Sequence, residues 1–393
     1  MFLVSAVKKH IFYYKLVFIA IVTCCISGIV SSLEVGSYYG NYDIATKKPW
    51  RPATSLTGPN IETWAEPIAV NKPYKIGVLV PHVQDSYWLA VNYGLIKEAE
   101  KLGITVKLFS AGGYSKGGIQ RKQLTDDILK EKVNGVILAS IFYDKLDHFI
   151  AQVDKMEIPI VSMINDVLSP NVKAGVTVSY YEVGYKLGEF VLDDAAGKDF
   201  KVAFFPGPKS AVWATDTYAG FLAAVNENTK AKPVGKITIV ALQYDILDGK
   251  QQQLLVDKVL ALKPNINYII GNAIAAKEAG ILVSNKYKAA QPAVKIISTY
   301  LTPDVYDMVK TKNIYGTVVD FNIEQARMAL HLMVRYLNGE QPNKQETKFP
   351  FRTAPLFKIV TSTNIDNYKP ENLFANKNFK PTYEFVAPAK VEK

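Results

Sequence analysis

Short runs of β-branched and aliphatic residues alternate with longer segments of helical periodicity from residue 74 onward. The first run is Lys75–Val80, and the helical segment Ser86–Leu102 that follows it ends at Gly103. Further strand-like runs and helical segments follow at 105–109, 119–132, 135–140, 143–156 and 158–163. Strands that alternate with helices of this length predict βαβ units and a parallel sheet with helices on both faces.

The alternation starts again near residue 201, which predicts a second half of similar size. Its strand-like runs and helical segments lie, in chain order, at 201–205, 211–226, 237–241, 250–262, 268–270, 273–286, 295–298, 315–319 and 323–337. The predicted fold class is therefore α/β, with two Rossmann-like lobes built on parallel sheets. The first lobe is predicted to comprise 74–178 and 300–318, and the second lobe 179–299 and 319–340.

The segments on either side of the two lobes lack a sustained period. Residues 33–73 are rich in Pro, Asn, Thr and Tyr and are predicted to form an extended N-terminal arm. Residues 341–393 are rich in Pro, Asn and Lys and are predicted to form a C-terminal tail that wraps the surface. Neither segment is counted with the predicted lobes.

The first 32 residues have the order of a secretory signal peptide. Three lysines within the first 15 residues precede the apolar stretch Leu16–Val30, and cleavage is predicted after Ser32. This stretch is short for a membrane span, which needs about 20 residues, and an uncleaved N-terminal anchor is the alternative. Both cysteines, Cys24 and Cys25, lie in the leader, so the mature chain would have no disulfide. Export without disulfides fits a bacterial periplasm.

Composition and charge exclude several classes of protein. Hydrophobic residues make up 49% of the chain and charged residues 21%, which is typical of a globular protein and not of a disordered one. The net charge is +10, but the basic residues are interspersed with acidic ones, so a nucleic-acid partner is not predicted. After the leader only His82, His148 and His331 remain, without metal-ligand spacing, so no metal site is predicted.

One string matches a catalytic motif. Residues Gly113–Gly117 fit the nucleophile-elbow pattern G-x-S-x-G, with Ser115 as the nucleophile. An elbow needs a strand that runs straight into the serine, whereas Ser110–Gly113 loosens the chain before it, and no local feature selects His148 or His331 as the base. No phosphate loop or G-x-G-x-x-G string is present either, so no cofactor is predicted. A serine hydrolase is kept as an alternative.

Aromatic residues recur just after the predicted strands. Ligands of open α/β sheets bind beyond the carboxyl ends of the strands, and two facing sheets form a cleft there. The rings expected at this cleft are those of Tyr87, Trp88, Tyr114, Tyr180, Tyr181 and Tyr300. Tyr180 and Tyr181 lie at the predicted crossing into the second half, and Tyr300 lies at the predicted crossing back. Ring faces suit a methylated ammonium, at about 0.5–2 kcal/mol per ring. The alternative for each ring alone is packing at a helix start.

Several of these segments resemble the TorT family, periplasmic binding proteins for trimethylamine N-oxide (TMAO) that act with the sensor kinase TorS. The similar segments, within about 74–340, are Pro81–Gly94, Ala111–Ser115, Pro206–Pro208, Gly271–Ala276 and Tyr300–Tyr306. The resemblance implies the type I periplasmic-binding-protein architecture, with two Rossmann-like lobes and a ligand cleft at a hinge of three strand crossings. It also implies a binding protein without enzymatic activity.

The resemblance further implies the ligand site. The aromatic box of the family carries over to Tyr87, Trp88, Tyr114 and Tyr300. In this chain Tyr180 stands where the family usually has a tryptophan ahead of a Gly-Tyr pair. A tyrosine has a smaller face and a hydroxyl group, so the affinity for TMAO could be lower or the ligand could differ.

Three further residues are candidates for the same site. Trp213 has no counterpart in the family pattern and either leans into the cleft to replace the missing ring face or packs on its own lobe. Asp85 and Asp320 are expected at the edges of the cleft, where they could orient hydroxyl groups. For Asp85 the alternative is a helix cap for the segment that begins near Ser86.

The sequence therefore predicts a periplasmic sensor that binds TMAO or a similar methylated amine and signals to a membrane sensor histidine kinase. The alternative is the receptor of an ABC-type transporter for another small solute, such as a sugar or a betaine. Sugar sites need several amide or charged groups, and the strand ends offer mainly Asn165, Asp166, Asn272 and Asp320. This short set favours a methylated amine over a sugar.

Overall fold

The computed structural model describes residues 33–40, 57–66, 69–231, 235–263, 265–289 and 294–388. The predicted signal peptide, 1–32, lies outside the described residues, as do 41–56 of the arm and 389–393 of the tail. None of the helices in the described ranges combines the length and the apolar composition that a membrane crossing requires.

Fifteen strands, nine α-helices and two short 3-10 helices, at Ile365–Asn367 and Pro370–Asn372, make up the regular structure of the described residues. The strands are β1 (Glu34–Tyr39), β2 (Thr57–Thr63), β3 (Lys75–Val80), β4 (Thr105–Ser110), β5 (Gly135–Leu138), β6 (Ile160–Met163), β7 (Ala174–Val176), β8 (Phe200–Phe205), β9 (Ile237–Leu242), β10 (Tyr268–Gly271), β11 (Lys295–Ser298), β12 (Gly316–Val319), β13 (Arg352–Pro355), β14 (Lys358–Thr361) and β15 (Glu384–Phe385). The helices are α1 (Ser86–Leu102), α2 (Gly117–Lys122), α3 (Asp147–Asp154), α4 (Tyr180–Ala195), α5 (Val212–Ala231), α6 (Gly249–Leu262), α7 (Ala273–Asn285), α8 (Pro303–Lys310) and α9 (Asn322–Leu337). Helix α2 continues through a π-helical turn at Gln123–Asp127 and a last turn at Ile128–Lys130.

Two sheets carry the two lobes. The first has nine strands in the order β15-β4-β3-β5-β6-β7-β13-β1-β2, and the second has six in the order β14-β12-β11-β10-β8-β9. Strands β3 to β7 are parallel to one another, and so are β8 to β12. Strands β15 and β14 add antiparallel neighbours to β4 and β12. The central strands β5, β6 and β10 are buried along their whole length, as expected where helices cover both faces of a parallel sheet.

Helix α1 shows how the local sequence sets an element that positions the cleft. Its N-cap is Asp85, whose side chain accepts a hydrogen bond from the backbone N–H of Trp88, and it ends at Gly103 in the left-handed conformation. Its inner face packs on α9, where Gly94 allows close contact: a Cβ at this position would lie 2.8 Å from the carbonyl oxygen of Ile323. The start of α1 is thereby fixed at the carboxyl end of β3.

The lobe assignment predicted from the sequence is wrong for two segments. Strand β12 pairs with β11, and α8 packs against α7 and β12, so the segment 300–318 belongs to the second lobe. Helix α9 packs on α1, β5, β6 and β7, so 322–337 belongs to the first lobe. Hydrophobic periodicity identifies the strand and the helix, but it does not identify which sheet each one joins.

The predicted arm and tail both contribute strands to the sheets. Strands β1 and β2 form an antiparallel pair at one edge of the first sheet, and β13 of the tail lies between β1 and β7. Strand β14 pairs with β12, and β15 with β4. The tail was predicted to wrap the surface, but part of it is inside the protein, because Phe349, Phe351 and Arg352 are buried. Strands β1 and β2 are rich in glycine and polar residues, and β13, β14 and β15 have only four, four and two residues, so none of them produces a period in the sequence.

The chain passes between the lobes at three successive points, after β7, after β12 and after β13, and the tail returns to the first sheet as β15. The return crossing expected at Tyr300 lies instead at Asp320 and Phe321, because the chain stays in the second lobe through α8 and β12. Phe321 has a φ of +54°, a left-handed conformation that bulky residues rarely adopt. This strained residue stands at the hinge, directly beside a predicted site residue.

Candidate functional site

A cleft lies between the two lobes, beyond the carboxyl ends of the strands. Its volume is about 320 Å³, a figure that includes open solvent at the mouth. The lining residues are Asp85, Tyr87, Trp88, Tyr114, Ile164, Asn165, Tyr180, Trp213, Leu247 and Tyr300. Seven of the eight predicted site residues therefore line one cavity, and the eighth, Asp320, bonds to two of them.

The first lobe contributes rings from α1 and from the turn after β4. Tyr87 and Trp88, in the first turn of α1, are buried and have ring centroids 5.9 Å apart. Tyr114 follows β4, and its hydroxyl oxygen accepts a hydrogen bond of 3.2 Å from Nδ2 of Asn165. The same Nδ2 donates to the carbonyl oxygen of Ser140 at 2.9 Å, which ties the Tyr114 ring to the end of β5.

The second lobe contributes rings from the starts of two helices and from the loop after β11. Tyr180 is the first residue of α4, which is capped by the side chain of Ser179. The indole ring of Trp213, at the start of α5, lies 6.2 Å from the Tyr180 ring and 6.0 Å from the Tyr300 ring, between centroids. The cleft-facing position of Trp213 agrees with the first of the two alternatives considered for it.

Rings of the two lobes also meet each other across the cleft. The Tyr87 and Tyr300 rings contact edge to face with centroids 5.4 Å apart, and the Tyr114 and Trp213 rings do so at 6.1 Å. Edge-to-face pairs at these distances are favourable because the positive ring edge meets a negative ring face. The structure therefore describes the lobes in a closed arrangement with the rings gathered in one place.

Asp320 lies behind the rings, at the hinge. Its Oδ2 accepts hydrogen bonds from the hydroxyl groups of Tyr87, at 2.5 Å, and of Tyr180, at 3.4 Å. Burial raises the pKa of Asp320 to about 6, although the two hydroxyl groups partly oppose this shift. Both tyrosine pKa values are raised well above 10, chiefly by burial and then by the nearby carboxylate. The Asp320 carboxylate therefore already accepts hydrogen bonds from two hydroxyl groups of the protein.

Asp85 lines the cleft but is engaged within the first lobe. Its Oδ1 accepts the backbone N–H of Trp88 at 2.8 Å, and its Oδ2 lies 3.7 Å from Nε2 of His82. The His82 ring packs edge-on against the rings of Trp88 and Tyr114, with centroids 6.2 and 5.9 Å away. Burial lowers the pKa of His82, with Asp85 opposing the shift. Asp85 is therefore a helix cap that also borders the cleft.

Two lining residues carried no signal in the sequence. Ile164 has a φ of +61°, which is unusual for a β-branched residue, and it positions Asn165 at the cleft. Leu247 belongs to the loop between β9 and α6. Nothing in the sequence shows which loop residue turns inward, because such a position depends on the packing of both lobes.

The serine and histidine candidates do not form a catalytic arrangement. Ser115 is exposed, while His148 hydrogen-bonds to Gln152. His331 accepts a hydrogen bond from the indole N–H of Trp64 and bonds to Glu98. Both histidines therefore have other partners, and no hydrogen bond joins either of them to Ser115 among the described residues, which argues against the hydrolase alternative.

One group of described side chains has the spacing of metal ligands, namely Glu66, Glu98 and His331. Arg327 bonds to both glutamates, at 3.1 and 2.7 Å, and Lys101 lies 2.7 Å from Glu66. Cationic side chains therefore already balance these carboxylates, and the group is an ion-pair network between α1, α9 and the arm.

Comparison with known proteins agrees with this geometry. Residues 76–341 match the family model for the periplasmic binding protein domain. The chain is 26% identical to the periplasmic protein TorT of Escherichia coli strain K12 over 317 residues, which cover 81% of this chain and 86% of TorT.

Two solved structures show the same fold. One is an ABC transporter solute binding protein from Bradyrhizobium sp. BTAi1 with bound bis-tris, with a TM-score of 0.72, 28% identity, and coverage of 88% of this chain and 98% of that chain. The other is the complex of the TorS sensor domain with TorT in the presence of TMAO, with a TM-score of 0.68, 25% identity, and coverage of 79% and 99%.

The family and the likeness to TorT indicate a periplasmic location and a protein that binds solutes without enzymatic activity. The two lobes, each built on its own sheet, and the cleft at the hinge form the type I periplasmic-binding-protein architecture expected from the sequence. The chain belongs to the periplasmic binding protein family.

Proposed function

We propose that this protein binds TMAO, or a similar small methylated amine, in the ring-lined cleft and signals to a membrane sensor histidine kinase. The observation that carries the proposal is the convergence of aromatic rings from both lobes on one cavity. The converging rings are those of Tyr87, Trp88, Tyr114, Tyr180, Trp213 and Tyr300. Their faces present negative potential to a quaternary nitrogen that carries methyl groups.

The charge of the cleft supports a ligand without net charge. The described residues that line the cavity include no lysine or arginine, and the two nearby carboxylates already have partners within the protein. TMAO is neutral overall, with a positive nitrogen that bears three methyl groups and a negative oxygen. The rings would contact the methyl groups, and hydroxyl or N–H donors would bind the oxygen.

The small number of polar groups in the cleft argues against a sugar as the ligand. A sugar presents many hydroxyl groups, each of which needs a polar partner once it is buried. Among the lining residues only Asn165 offers an amide, and its Nδ2 already donates to Tyr114 and Ser140. The cleft therefore offers mostly aromatic surface and too few hydrogen-bonding groups for a buried sugar.

Signalling would follow from lobe closure. A ligand shifts the balance between open and closed states only by its different affinity for the two, and a kinase that favours the closed form would strengthen ligand binding equally. A TorS–TorT complex has been solved in the presence of TMAO, and TorT is a relative of this chain. We propose a TorS-like sensor kinase as the partner.

A receptor for ABC-type uptake is the second candidate function. It is supported by the Bradyrhizobium protein, which is 28% identical and is a solute binding protein of an ABC transporter. A sensor kinase gene beside the gene of this protein would favour signalling, and a permease gene would favour uptake. Export in either case rests on the predicted leader, and the mass of the secreted protein would test cleavage after Ser32.

Titration calorimetry of the mature protein with TMAO tests the proposed ligand. We expect Trp88→Ala to weaken binding at least tenfold, because a ring contact with a methylated ammonium is worth about 0.5–2 kcal/mol and truncation also leaves a void. Trp64→Ala is the matched control, since it removes an equally large, buried indole outside the cleft. It should lower the melting temperature and leave the affinity unchanged. Absence of heat and of thermal shift with millimolar TMAO would contradict the proposal.

A further inference from the structure

The indole N–H of Trp213 is a buried donor without an acceptor in the described part of the protein. The Trp213 side chain is 7% exposed, and its Nε1 atom is inaccessible and forms no hydrogen bond. A buried tryptophan N–H usually finds a partner, because desolvation without a hydrogen bond is costly. An unpaired donor at a ligand cleft therefore points to a partner that the protein itself does not supply.

The indole ring of Trp213 lies next to both the Gly207 backbone and the rings that line the cleft. A Cβ at Gly207 would lie 2.8 Å from Cη2 and 3.3 Å from Cζ3 of Trp213, so the far edge of the six-membered ring rests on the Gly207 backbone. The edge that carries Nε1 lies on the other side of the ring system. The Tyr114 ring lies 6.1 Å from the Trp213 ring, between centroids. Burial raises the pKa of the Tyr114 hydroxyl group, and the side chains of Asn165 and Trp213 partly oppose this shift, so the Trp213 N–H lies near the Tyr114 oxygen.

Tyr114 provides a second donor at the same place. Its oxygen accepts a hydrogen bond from Asn165, which leaves the hydroxyl hydrogen without an acceptor among the described residues. The two carboxylates nearby do not serve either donor, because Asp85 caps α1 and Asp320 accepts the hydroxyl groups of Tyr87 and Tyr180. Two donors thus lie beside a ring-lined space whose two nearby carboxylates already accept other hydrogen bonds.

We infer that Trp213 is the residue that sets ligand specificity, through donation by its indole N–H, together with the Tyr114 hydroxyl, to an acceptor oxygen of the ligand. This inference rests on the proposed function, in which the same rings bind a methylated amine. It narrows the ligand class to methylated amines that carry an acceptor oxygen, such as an N-oxide or a betaine. A bare methylammonium ion would satisfy the rings but leave both donors unpaired.

The test compares TMAO, glycine betaine and tetramethylammonium by titration calorimetry on the mature protein. Tetramethylammonium has about the same size as TMAO and lacks the oxygen acceptor. We expect the wild-type protein to bind TMAO or betaine at least tenfold more tightly than tetramethylammonium, which is the ratio expected for one or two buried hydrogen bonds. Trp213→Phe keeps an aromatic ring and removes the N–H, so this preference should largely disappear.

Two further variants separate the donor from its surroundings. Tyr114→Phe removes the second donor and should also reduce the preference. Trp64→Phe removes an indole N–H that already donates to His331 outside the cleft, so the preference should stay at the wild-type value. If Trp213→Phe retains the wild-type ratio, the inference is overturned while the proposed function stands. If the wild-type protein binds none of the three compounds, the proposed function fails and the inference fails with it.

A measurement on the wild-type protein covers the case in which Trp213→Phe does not fold. With ¹⁵N-labelled tryptophan, the indole N–H signal of Trp213 should move downfield when TMAO or betaine is added and stay nearly unchanged with tetramethylammonium. A binding-competent protein in which no indole signal distinguishes the ligands would contradict the inference.

Discussion

The Tyr87 hydroxyl donates a hydrogen bond of 2.5 Å to Oδ2 of Asp320, which joins helix α1 of the first lobe to the crossing that follows strand β12. The Tyr180 hydroxyl is 3.3 Å from the Tyr87 hydroxyl and 3.4 Å from the same Oδ2. The side chain of Asn322 adds a bond to the backbone oxygen of Tyr87 at 3.1 Å. One buried carboxylate therefore fixes two of the cleft rings relative to the hinge.

The variant Tyr87→Phe tests this connection. It keeps the ring in the cleft but leaves Asp320 with Tyr180 alone, and removal of one partner from a buried charged group costs about 1–3 kcal/mol. We expect a lower melting temperature and a TMAO affinity that falls about five- to tenfold, since closure would no longer gain this bond. Thermal unfolding and titration calorimetry measure the two effects.

Tyr185→Phe is the control for Tyr87→Phe, because it also removes a bond from a tyrosine hydroxyl to a carboxylate, that of Glu227, on the exposed surface of α4. It should leave the affinity unchanged and the melting temperature nearly so. Equal effects of the two variants would show that the bond between Tyr87 and Asp320 has no special part in closure.

The raised pKa of Asp320 predicts a pH dependence of stability. Burial raises this pKa from 3.8 to about 6, so the folded protein keeps a proton that the unfolded chain has already lost. The contribution of Asp320 to the free energy of unfolding is therefore complete below about pH 4 and is lost as the pH rises to about 6, by an amount on the order of 3 kcal/mol. In Asp320→Asn this decrease should be absent.

Denaturant unfolding of the wild type and of Asp320→Asn at several pH values between 3.5 and 7 measures that difference. The two curves should converge at low pH, where Asp320 is protonated, and separate as the pH rises. Parallel curves across this range would mean that Asp320 does not titrate in the window.

Much of the fold and of the site was predictable because local signals set both. Helix α1 begins and ends as predicted, since Asp85 and Gly103 supply an N-cap and a left-handed C-cap. The rings were predictable as a group, because in parallel sheets the residues that follow the strands meet at one edge. Whether each of them contacts a ligand stays a prediction.

The features of the fold and of the site that were not predicted depend on contacts between residues far apart in the sequence. Strand β12 and helix α9 lie in the lobes opposite to those predicted, since a short apolar strand and an amphipathic helix fit either sheet equally well. Strand β13 lies inside the first sheet although its sequence reads Arg-Thr-Ala-Pro. The unpaired N–H of Trp213 was also not predictable from the sequence, because it depends on the packing of the indole ring against the Gly207 backbone.

Close packing of helices α4 and α5 predicts a further effect on the cleft. A Cβ at Gly184 would lie 1.9 Å from the backbone oxygen of Thr217, and one at Gly220 would lie 1.9 Å from that of Tyr181. Since Tyr180 begins α4 and Trp213 lies in the first turn of α5, the spacing of the helices sets the 6.2 Å between these rings.

In Gly184→Ala the two helices must move apart. We expect a loss of at least about 1–3 kcal/mol in the free energy of unfolding from overpacking, together with weaker TMAO binding. Gly118→Ala is the control, because it also lies in a helix but has open space where its Cβ would stand. This control should retain wild-type affinity and be slightly more stable, by up to about 1 kcal/mol. A stable Gly184→Ala with unchanged affinity would contradict the role given to this packing.

The ion-pair network behind α1 predicts the behaviour of the protein in acid. Glu98, on α1, bonds to Nε2 of His331 at 2.8 Å and to Nε of Arg327 at 2.7 Å, both on α9. Burial alone would raise the pKa of Glu98, but the hydrogen bonds from His331 and Arg327 outweigh it and lower the pKa to about 2. Both partners belong to the helix that follows the second crossing, so the network holds α9 to the first lobe.

A carboxyl group with a lowered pKa stabilises the fold above its unfolded pKa and loses that effect as the pH falls to its folded pKa. For Glu98 the window runs from about 4.5 down to about 2, and the loss is on the order of 3 kcal/mol. Glu98→Gln should be less stable than the wild type at pH 7, and the difference should shrink through this window. Circular dichroism melts from pH 2 to 7 measure it, with Glu100→Gln as the control, an exposed glutamate on the same helix that pairs with Lys97. If both variants follow the wild-type curve at a constant offset, the acid sensitivity arises elsewhere and α9 is held to α1 by its apolar contacts.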